Sequence, residues 1–280
     1  MMEHRVPSSV GVIGGRGQLG SWLARLLGKH GVAVSIADIG TDLSNIELVK
    51  NSEVVVVSVP IGVTDQVLRE IAPHVRSDQL VLDLTSVKTP FVPVLESLRG
   101  EVLSLHPMFS PSVATLEGQS CVVCPLREGM LGLFFRHILE QEGVRLVTMS
   151  PDEHDRTMAV VQGMTHFQAI VAGHCMTELG FNPLESLAVA SPVYRVRLAM
   201  IGRILAQDAR LYAEIQIFNP FVREALSALE RSTRVFQRAI EEKDVATFAA
   251  EFERARHGLG GFEKVALEES NRVIQALAQK

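Results

Sequence analysis

An α/β domain built on a doubly wound parallel sheet, followed by an all-α domain, is the architecture this sequence predicts. Three observations carry it. Residues 1–149 alternate short β-branched runs with helical stretches, the pattern of strand–helix–strand units. The first run leads straight into glycines spaced Gly15-x-Gly17-x-x-Gly20. From about Ser150 onward no strand pattern recurs, and long amphipathic stretches take its place. The expected division is therefore 1–150 and 151–280.

Taken in order, Val10 to Ile13 is a first strand, and Leu19, Trp22, Leu23, Leu26 and Leu27 share one face of the helix that follows. Val32 to Ala37 is a second strand and Asp42 to Lys50 a short polar helix. The apolar run Glu53 to Pro60 suits a strand buried on both faces. Thr64 or Asp65 is placed to cap the next helix, which runs to about Val75. Strands at Gln79–Leu84, Glu101–Leu105, Ser120–Cys124 and Val144–Met149 alternate with helices over 90–98 and 127–143. The second half reads as helices over 152–179, 183–190, 192–208, 220–242, 245–256 and 262–279, the last two separated by Gly258-Leu-Gly-Gly261.

Composition narrows the function. A net charge of −5 with no Lys/Arg-rich block argues against nucleic acid as a partner. No apolar run reaches the ~18 residues of a membrane span, and Met1-Met-Glu-His-Arg-Val-Pro7 lacks the apolar centre of a signal peptide. A cytoplasmic protein is expected. Of the three cysteines, Cys121 and Cys124 form a C-x-x-C, but within a strand-like run and without a second pair or histidines to complete a zinc site. They read as buried strand residues, and no metal is expected.

The glycine turn carries the chemistry. Strand, turn and helix together form a dinucleotide fingerprint of Rossmann-like type. Gly15 is expected to make the tight turn, Gly17 to let a pyrophosphate approach the backbone, and Gly20 to let helix and strand pack closely. The first N–H groups of the helix would hold the phosphates. Asp38, 18 residues past Gly20 at the end of the second strand, can accept hydrogen bonds from an adenosine ribose and repels a 2′-phosphate. NAD is thus expected, in preference to NADP. Arg16, Gln18 and Leu19 in the turn, and Val59 and Pro60 after the third strand, complete the expected cofactor contacts.

His106 ends the fifth strand at the edge where ligands of open α/β sheets bind. A neutral imidazole there suits general-base work, and a structural turn histidine ahead of Pro107 is the bland alternative. Ser86, ending the neighbouring strand, can bond His106 or a substrate, or cap a helix. His166 sits in an apolar helical stretch, as a core residue or a pocket residue. His154 and Asp155 fall at a helix start, where capping accounts for them. Arg195 and Arg203 are eight residues apart on an apolar helix and call for anions, either a substrate carboxylate or internal acids.

Several runs carry a family likeness: Gly14-Gly-Arg-Gly-Gln-Leu-Gly20, Val57-Ser-Val-Pro-Ile-Gly-Val-Thr64, Asp83-Leu-Thr-Ser-Val-Lys88, Leu105-His-Pro-Met-Phe109, Glu153-His-Asp155, Thr165-His-Phe167 and Ser191 to Arg203. In order and spacing the chain resembles the prephenate dehydrogenase family, in particular the dehydrogenase part of chorismate mutase–prephenate dehydrogenases, here expected without a mutase segment. The resemblance implies NAD(P)-dependent oxidative decarboxylation of prephenate to 4-hydroxyphenylpyruvate, a step toward tyrosine, and a helical domain that forms a homodimer. It gives His106 the proton of the ring C4 substituent and Ser86 the positioning of His106 or substrate. Arg203 and Arg195 would bind substrate carboxylate, and His166 would line the pocket. His106 and Arg203 are then expected to meet over the nicotinamide.

There are departures. The family continues Gly-Pro-acid after His106-Pro-Met-Phe, whereas this chain has Ser110-Pro111-Ser112; Thr165 stands where the mutase-linked enzymes have arginine. These leave open a sister activity on 4-amino-4-deoxyprephenate, in antibiotic biosynthesis. Two other classes compete. A 3-hydroxyacid dehydrogenase would use a helix-borne lysine, and residues 151–240 contain none. A non-catalytic nucleotide sensor would have no need of His106 and Arg203.

Overall fold

A computed structural model describes residues 5–278. Met1 to His4 of the expected polar lead-in, and Gln279 at the expected end of the last helix, lie outside them. The chain divides into two units.

The first unit comprises the chain up to Met158 together with Ala213–Pro220. Its elements are β1 (Val10–Ile13), α1 (Gln18–Lys29), β2 (Val34–Ala37), α2 (Asn45–Asn51), β3 (Val54–Val57), α3 (Ile61–Ile71), β4 (Leu80–Asp83), α4 (Val92–Ser97), β5 (Glu101–Pro107), β6 (Ser120–Arg127), α5 (Met130–Gln141), β7 (Arg145–Thr148) and α6 (Pro151–Met158). The strands form one sheet in the order β2-β1-β3-β4-β5-β6-β7. The first five are mutually parallel, so their C-terminal ends share one edge. The chain steps from β1 outward to β2 and returns to β3 on β1's other side. That reversal is the switch point at which such sheets open a crevice.

Alternation along the strands builds two cores. Val10, Val12, Val54, Val56, Leu80 and Leu82 face the layer of α1 and α5, where Trp22, Leu23, Leu27 and Phe135 meet them. Val55, Val57 and Val81 face the opposite layer with Leu48, Leu68, Ile71 and Leu95. Each such side chain, fully buried, contributes about 1.5–3 kcal/mol.

The sheet is not parallel throughout. β6 runs antiparallel to β5, with His106 opposite Val122, and β7 pairs parallel with β6. Residues 108–119 join β5 to β6 without a helix, and parallel neighbours need a crossover of a dozen or more residues, usually helical. Element ends also differ from the sequence expectation. α2 starts at Asn45 rather than Asp42, with Ser44 as its cap in a capping box with Glu47. Pro60 begins α3, and Thr64 lies inside it with its hydroxyl donating to the Pro60 carbonyl.

The second unit comprises Ala159–Tyr212 and the chain from Phe221 onward. It holds a π-helical turn (Ala159–Met164), α7 (Thr165–Glu178), α8 (Pro183–Ser186), α9 (Pro192–Leu205), α11 (Val222–Glu241), α12 (Val245–Gly258) and α13 (Phe262–Ala278). Helix α10 (Ala209–Phe218), absent from the sequence expectation, begins in this unit and ends in the first. The expected single helix over 152–179 is thus three pieces, the first of which belongs with the sheet. Neither α7 nor α12 has a buried residue in the single chain. Val193, Phe252, Phe262 and Leu267 are all more than half exposed, at 67%, 53%, 53% and 62%.

Candidate active site

In the first unit the parallel topology brings the glycine turn, Ser58, the Asp83–Lys88 segment and His106 to one sheet edge. The tight turn belongs to Gly14 rather than Gly15: Gly14 has φ +80°, and a Cβ there would stand 2.2 Å from the Ser58 carbonyl of the neighbouring strand end. Gly15 is instead pressed against Ile36, 2.7 Å from a would-be Cβ. A Cβ at Gly20 would stand 2.5 Å from the Gly14 carbonyl, so the first turn of α1 lies close against the glycine turn itself. A Cβ at Gly17 would meet only the Gly14 carbonyl, at 3.3 Å. Gly17 is also the cap of α1, and no side chain caps that helix start. Gln18, Leu19 and Gly20 supply the N–H groups of its first turn. Val59 is half-buried and Pro60 exposed directly beyond β3.

Asp38 ends β2 half-buried, and each of its carboxylate oxygens accepts one backbone N–H: Oδ2 from Arg16 at 2.7 Å, Oδ1 from Ile39 at 2.7 Å. A carboxylate oxygen has capacity for a second donor. The Arg16 guanidinium reaches the Ile39 and Gly40 carbonyls, both at 3.4 Å. The turn, the uncapped helix start and the acid fit a dinucleotide: space over Gly17, donors for phosphate, an acceptor for ribose.

His106 is buried, at 3% exposure. Its Nδ1 lies 2.8 Å from Nε2 of His154. Nδ1 of His154 is 2.7 Å from Oδ1 of Asp155, and both residues are fully buried. Asp155 in turn accepts the backbone N–H of Lys88 (2.9 Å to Oδ1, 3.1 Å to Oδ2) and of Thr89 (2.7 Å to Oδ2). Asn219 donates to the Asp155 carbonyl at 2.8 Å. So His154 and Asp155 do not cap α6; Ser150 and Glu153 do that between themselves. Ser86 is half-buried in the bend after β4, and the partner the structure puts at Nδ1 of His106 is His154.

Beneath this row Lys88 is buried, its Nζ donating to Asp83 Oδ1 at 3.0 Å and to the Leu105 carbonyl at 2.8 Å. Burial, then the charges of His154 and Lys88, push the His106 pKa well below the ordinary imidazole value. Burial likewise lowers His154, against the pull of Asp155. Burial by itself would raise Asp155, but its bonds from His154 and Thr89 outweigh that and hold it below the usual carboxylate value. His106 is therefore a neutral imidazole, joined through His154 to a buried carboxylate. The nearby thiols are inert: burial pushes Cys121 up to about 12 and Cys124 to about 11.

In the second unit His166 is the second residue of α7, which follows the π-helical turn, a feature frequent at functional sites. Its ring lies 4.6 Å from that of Tyr212, and its buried Nδ1 has no hydrogen-bond partner among the described residues. Burial lowers its pKa. Burial raises the Tyr212 phenol, and the Arg203 charge acts on it in the opposite sense, so His166, Tyr212 and Arg203 belong to one neighbourhood. Arg195, Arg197 and Arg203 are all exposed in the single chain, which removes desolvation as the reason for expecting an anion beside them. Lys88, His154, Asp155 and Tyr212 are the polar residues that sequence reasoning did not place in a site; the adjacent acid and histidine of Glu153-His-Asp155 were the available signal.

Residues 28–148 match the family model "Prephenate dehydrogenase, nucleotide-binding domain", and residues 150–254 match "Prephenate dehydrogenase, dimerization domain". A probable arogenate/prephenate dehydrogenase of Methanocaldococcus jannaschii is 32% identical over 97% of this chain and 66% of its own length. The T-protein of Haemophilus influenzae is 34% identical, over 94% and 70%. A 4-amino-4-deoxyprephenate dehydrogenase of Streptomyces pristinaespiralis is 28% identical, over 89% and 90%. The chain thus spans about two thirds of the first two relatives. Among solved structures, the prephenate dehydrogenase of A. aeolicus, in complex with hydroxyphenyl propionate and NAD+, superposes with a TM-score of 0.70 at 18% identity, covering 91% of this chain and 98% of that one. It shares the fold.

Proposed function

The chain belongs to the prephenate dehydrogenase family, and from that premise we propose that it oxidises prephenate with NAD+, with loss of CO2, to 4-hydroxyphenylpyruvate. The observation that carries the reading is a buried neutral imidazole at the cofactor edge of the sheet, backed by a second imidazole and a carboxylate.

Prephenate is a cyclohexadiene with a carboxylate at C1 and a hydroxyl at C4. His106 takes the C4 hydroxyl proton as the C–H electron pair leaves C4. A bound nicotinamide would supply the acceptor for that pair, as hydride. The C1–carboxylate bond then breaks, its electrons make the ring aromatic, and the oxygen at C4 takes the proton back from His106. The reaction releases no net proton, so a base shielded from water can both accept and return it. Aromatisation drives the step, and the protein's part is alignment and charge placement. Arg203, with Arg195, holds substrate carboxylate through its guanidinium fork, and His166 and Tyr212 line the ring's surroundings. The glycine turn holds the pyrophosphate of the dinucleotide and Asp38 its ribose, which favours NAD over NADP.

A homodimer through the second unit accounts for helices with no buried residue and for the exposed apolar side chains on α9, α12 and α13. The family name of residues 150–254 supports the same reading.

A second reading keeps the site and changes the ring substituent to an amine. Its support is the Streptomyces relative, matched over 90% of its length, together with a serine, Ser112, at the position after His106 where the family carries an acid; Ser110 and Ser112 bond each other at 2.7 Å. Measuring kcat/KM for prephenate, arogenate and 4-amino-4-deoxyprephenate decides between them. Prephenate is expected to be the best of the three, and a higher kcat/KM for either amine overturns that assignment.

A further inference from the structure

We propose that His154 and Asp155 are positioning residues that fix the tautomer of His106, holding its proton on Nδ1 and its lone pair on Nε2. This rests on His106 being the base, as read above, and adds how that base is kept in its working form.

The direction of every hydrogen bond in the row follows from its far end. Asp155 receives the N–H groups of Lys88 and Thr89 and the Nδ1 edge of His154. Two backbone N–H donors and a pKa held below the usual carboxylate value make it a carboxylate, and a carboxylate only accepts. His154 must therefore donate from Nδ1. Its pKa is lowered by burial, so it is neutral and its Nε2 carries a lone pair. Across 2.8 Å that lone pair requires a donor, which can only be Nδ1–H of His106. One proton remains for the neutral His106 ring and it is on Nδ1, so the basic site is Nε2. The surroundings hold this arrangement rigidly. Thr89 and Lys88 are fixed by the helical turn and strand edge that follow β4, Asn219 ties the Asp155 backbone, and both imidazoles and the carboxylate are buried.

The row also carries charge. When Nε2 accepts the C4 hydroxyl proton, that O–H bond breaks and His106 becomes an imidazolium whose Nδ1–H still points at His154. The polarised His154 connects the charge to Asp155 through two short bonds in a site without solvent screening. On return of the proton to the ring oxygen the row is unchanged, so it needs no external proton source.

Asp155→Asn tests the polarity of the row. The Asn oxygen must take the Oδ2 place, facing the two backbone N–H groups, which turns the NH2 toward Nδ1 of His154. His154 then carries its proton on Nε2 and donates to His106, whose proton moves to Nε2 and blocks the base. NMR of protein labelled with 15N at histidine reads this directly, with His106→Asn assigning the signal. The expected result is Nδ1–H at His106 in the wild type and Nε2–H in Asp155→Asn. NAD+ affinity stays unchanged while kcat falls about 10²–10⁴-fold, the usual worth of a positioned base. Nε2–H in the wild type, or an unchanged tautomer in the variant, overturns the proposal. If Asp155→Asn does not fold, His154→Phe removes the acceptor while filling its space; loss of the single Nδ1–H form supports the proposal, and its persistence overturns it. A wild type inactive on every ring substrate would refute the assigned activity, while the tautomer measurement would still stand on its own.

Discussion

Nδ1 of His106 and Nε2 of His154 lie 2.8 Å apart, on β5 and α6, between side chains 3% and 0% exposed. The contact joins residues 48 positions apart in sequence and leaves the other edge of the His106 ring as its basic face. Most expectations for this protein follow from it.

Replacing that ring removes the base and leaves the glycine turn intact. His106→Asn is expected to lower kcat by about 10²–10⁴-fold with nearly unchanged NAD+ affinity. Steady-state kinetics and fluorescence titration of the cofactor check this, and a large loss of cofactor affinity would contradict the placement.

Activity should persist to unusually low pH. His106 must be neutral to accept a proton, and burial, aided by the His154 and Lys88 charges, holds its pKa well below 6.5. The kcat/KM profile is therefore expected to stay flat as pH falls through 6.5 and to drop only below it. Stability follows the same sign. The unfolded ring binds its proton first, so the stability due to a neutral His106 is present above the unfolded pKa and is lost as pH falls toward the folded value. His106→Asn should flatten the fall in Tm over that window; an unchanged slope would contradict the burial argument.

Arg203 is exposed in the single chain, so its removal should spare the fold and act on substrate. Losing one charge-assisted bond of about 1.5–3 kcal/mol raises KM by about 10- to 150-fold in Arg203→Ala. An unchanged KM would place the carboxylate elsewhere.

Asp38→Ala should lower the NAD/NADP preference by about 10-fold, the worth of one charge-assisted bond to a ribose hydroxyl. It should also cost some stability, because Arg16 and Ile39 each lose an acceptor. The kcat/KM ratio for the two cofactors is the measurement, and an unaltered ratio would contradict the ribose assignment.

Lys88 and Asp83 form an ion pair, each side chain 1% exposed. Lys88→Met strands a buried carboxylate and is expected to cost about 3–5 kcal/mol in denaturant unfolding. Lys88→Met with Asp83→Leu should recover part of that loss. If the double variant is no better than the single, the pair is not what the cost reflects.

The strands of the first unit were legible because β-branched runs between glycine and proline breaks have few other readings: Val54–Val57 and Leu80–Asp83 fall inside the runs that announced them. Strand direction was not legible in β6. An apolar run carries no polarity, and the clue was the helix-free stretch 108–119. The π-helical turn at Ala159–Met164 shares the helical period and so hides within it. Gly14, Gly15 and Gly17 are equivalent as letters, and only the close approach of Ser58 assigns the left-handed turn to Gly14. Of the site, His106 was legible from its place at a strand end. The row behind it was not, because the bonds His106–His154 and Lys88–Asp155 join residues 48 and 67 positions apart and leave no mark in local pattern.

The central claim is that this chain removes hydride and CO2 from prephenate with NAD+ through His106. The direct measurement follows NADH absorbance and CO2 release together, with purified wild type and His106→Asn, on prephenate. The account predicts equal amounts of NADH and CO2 from the wild type and a rate lower by orders of magnitude in the variant. NADH formation by the variant at the wild-type rate, or none by the wild type, would contradict it.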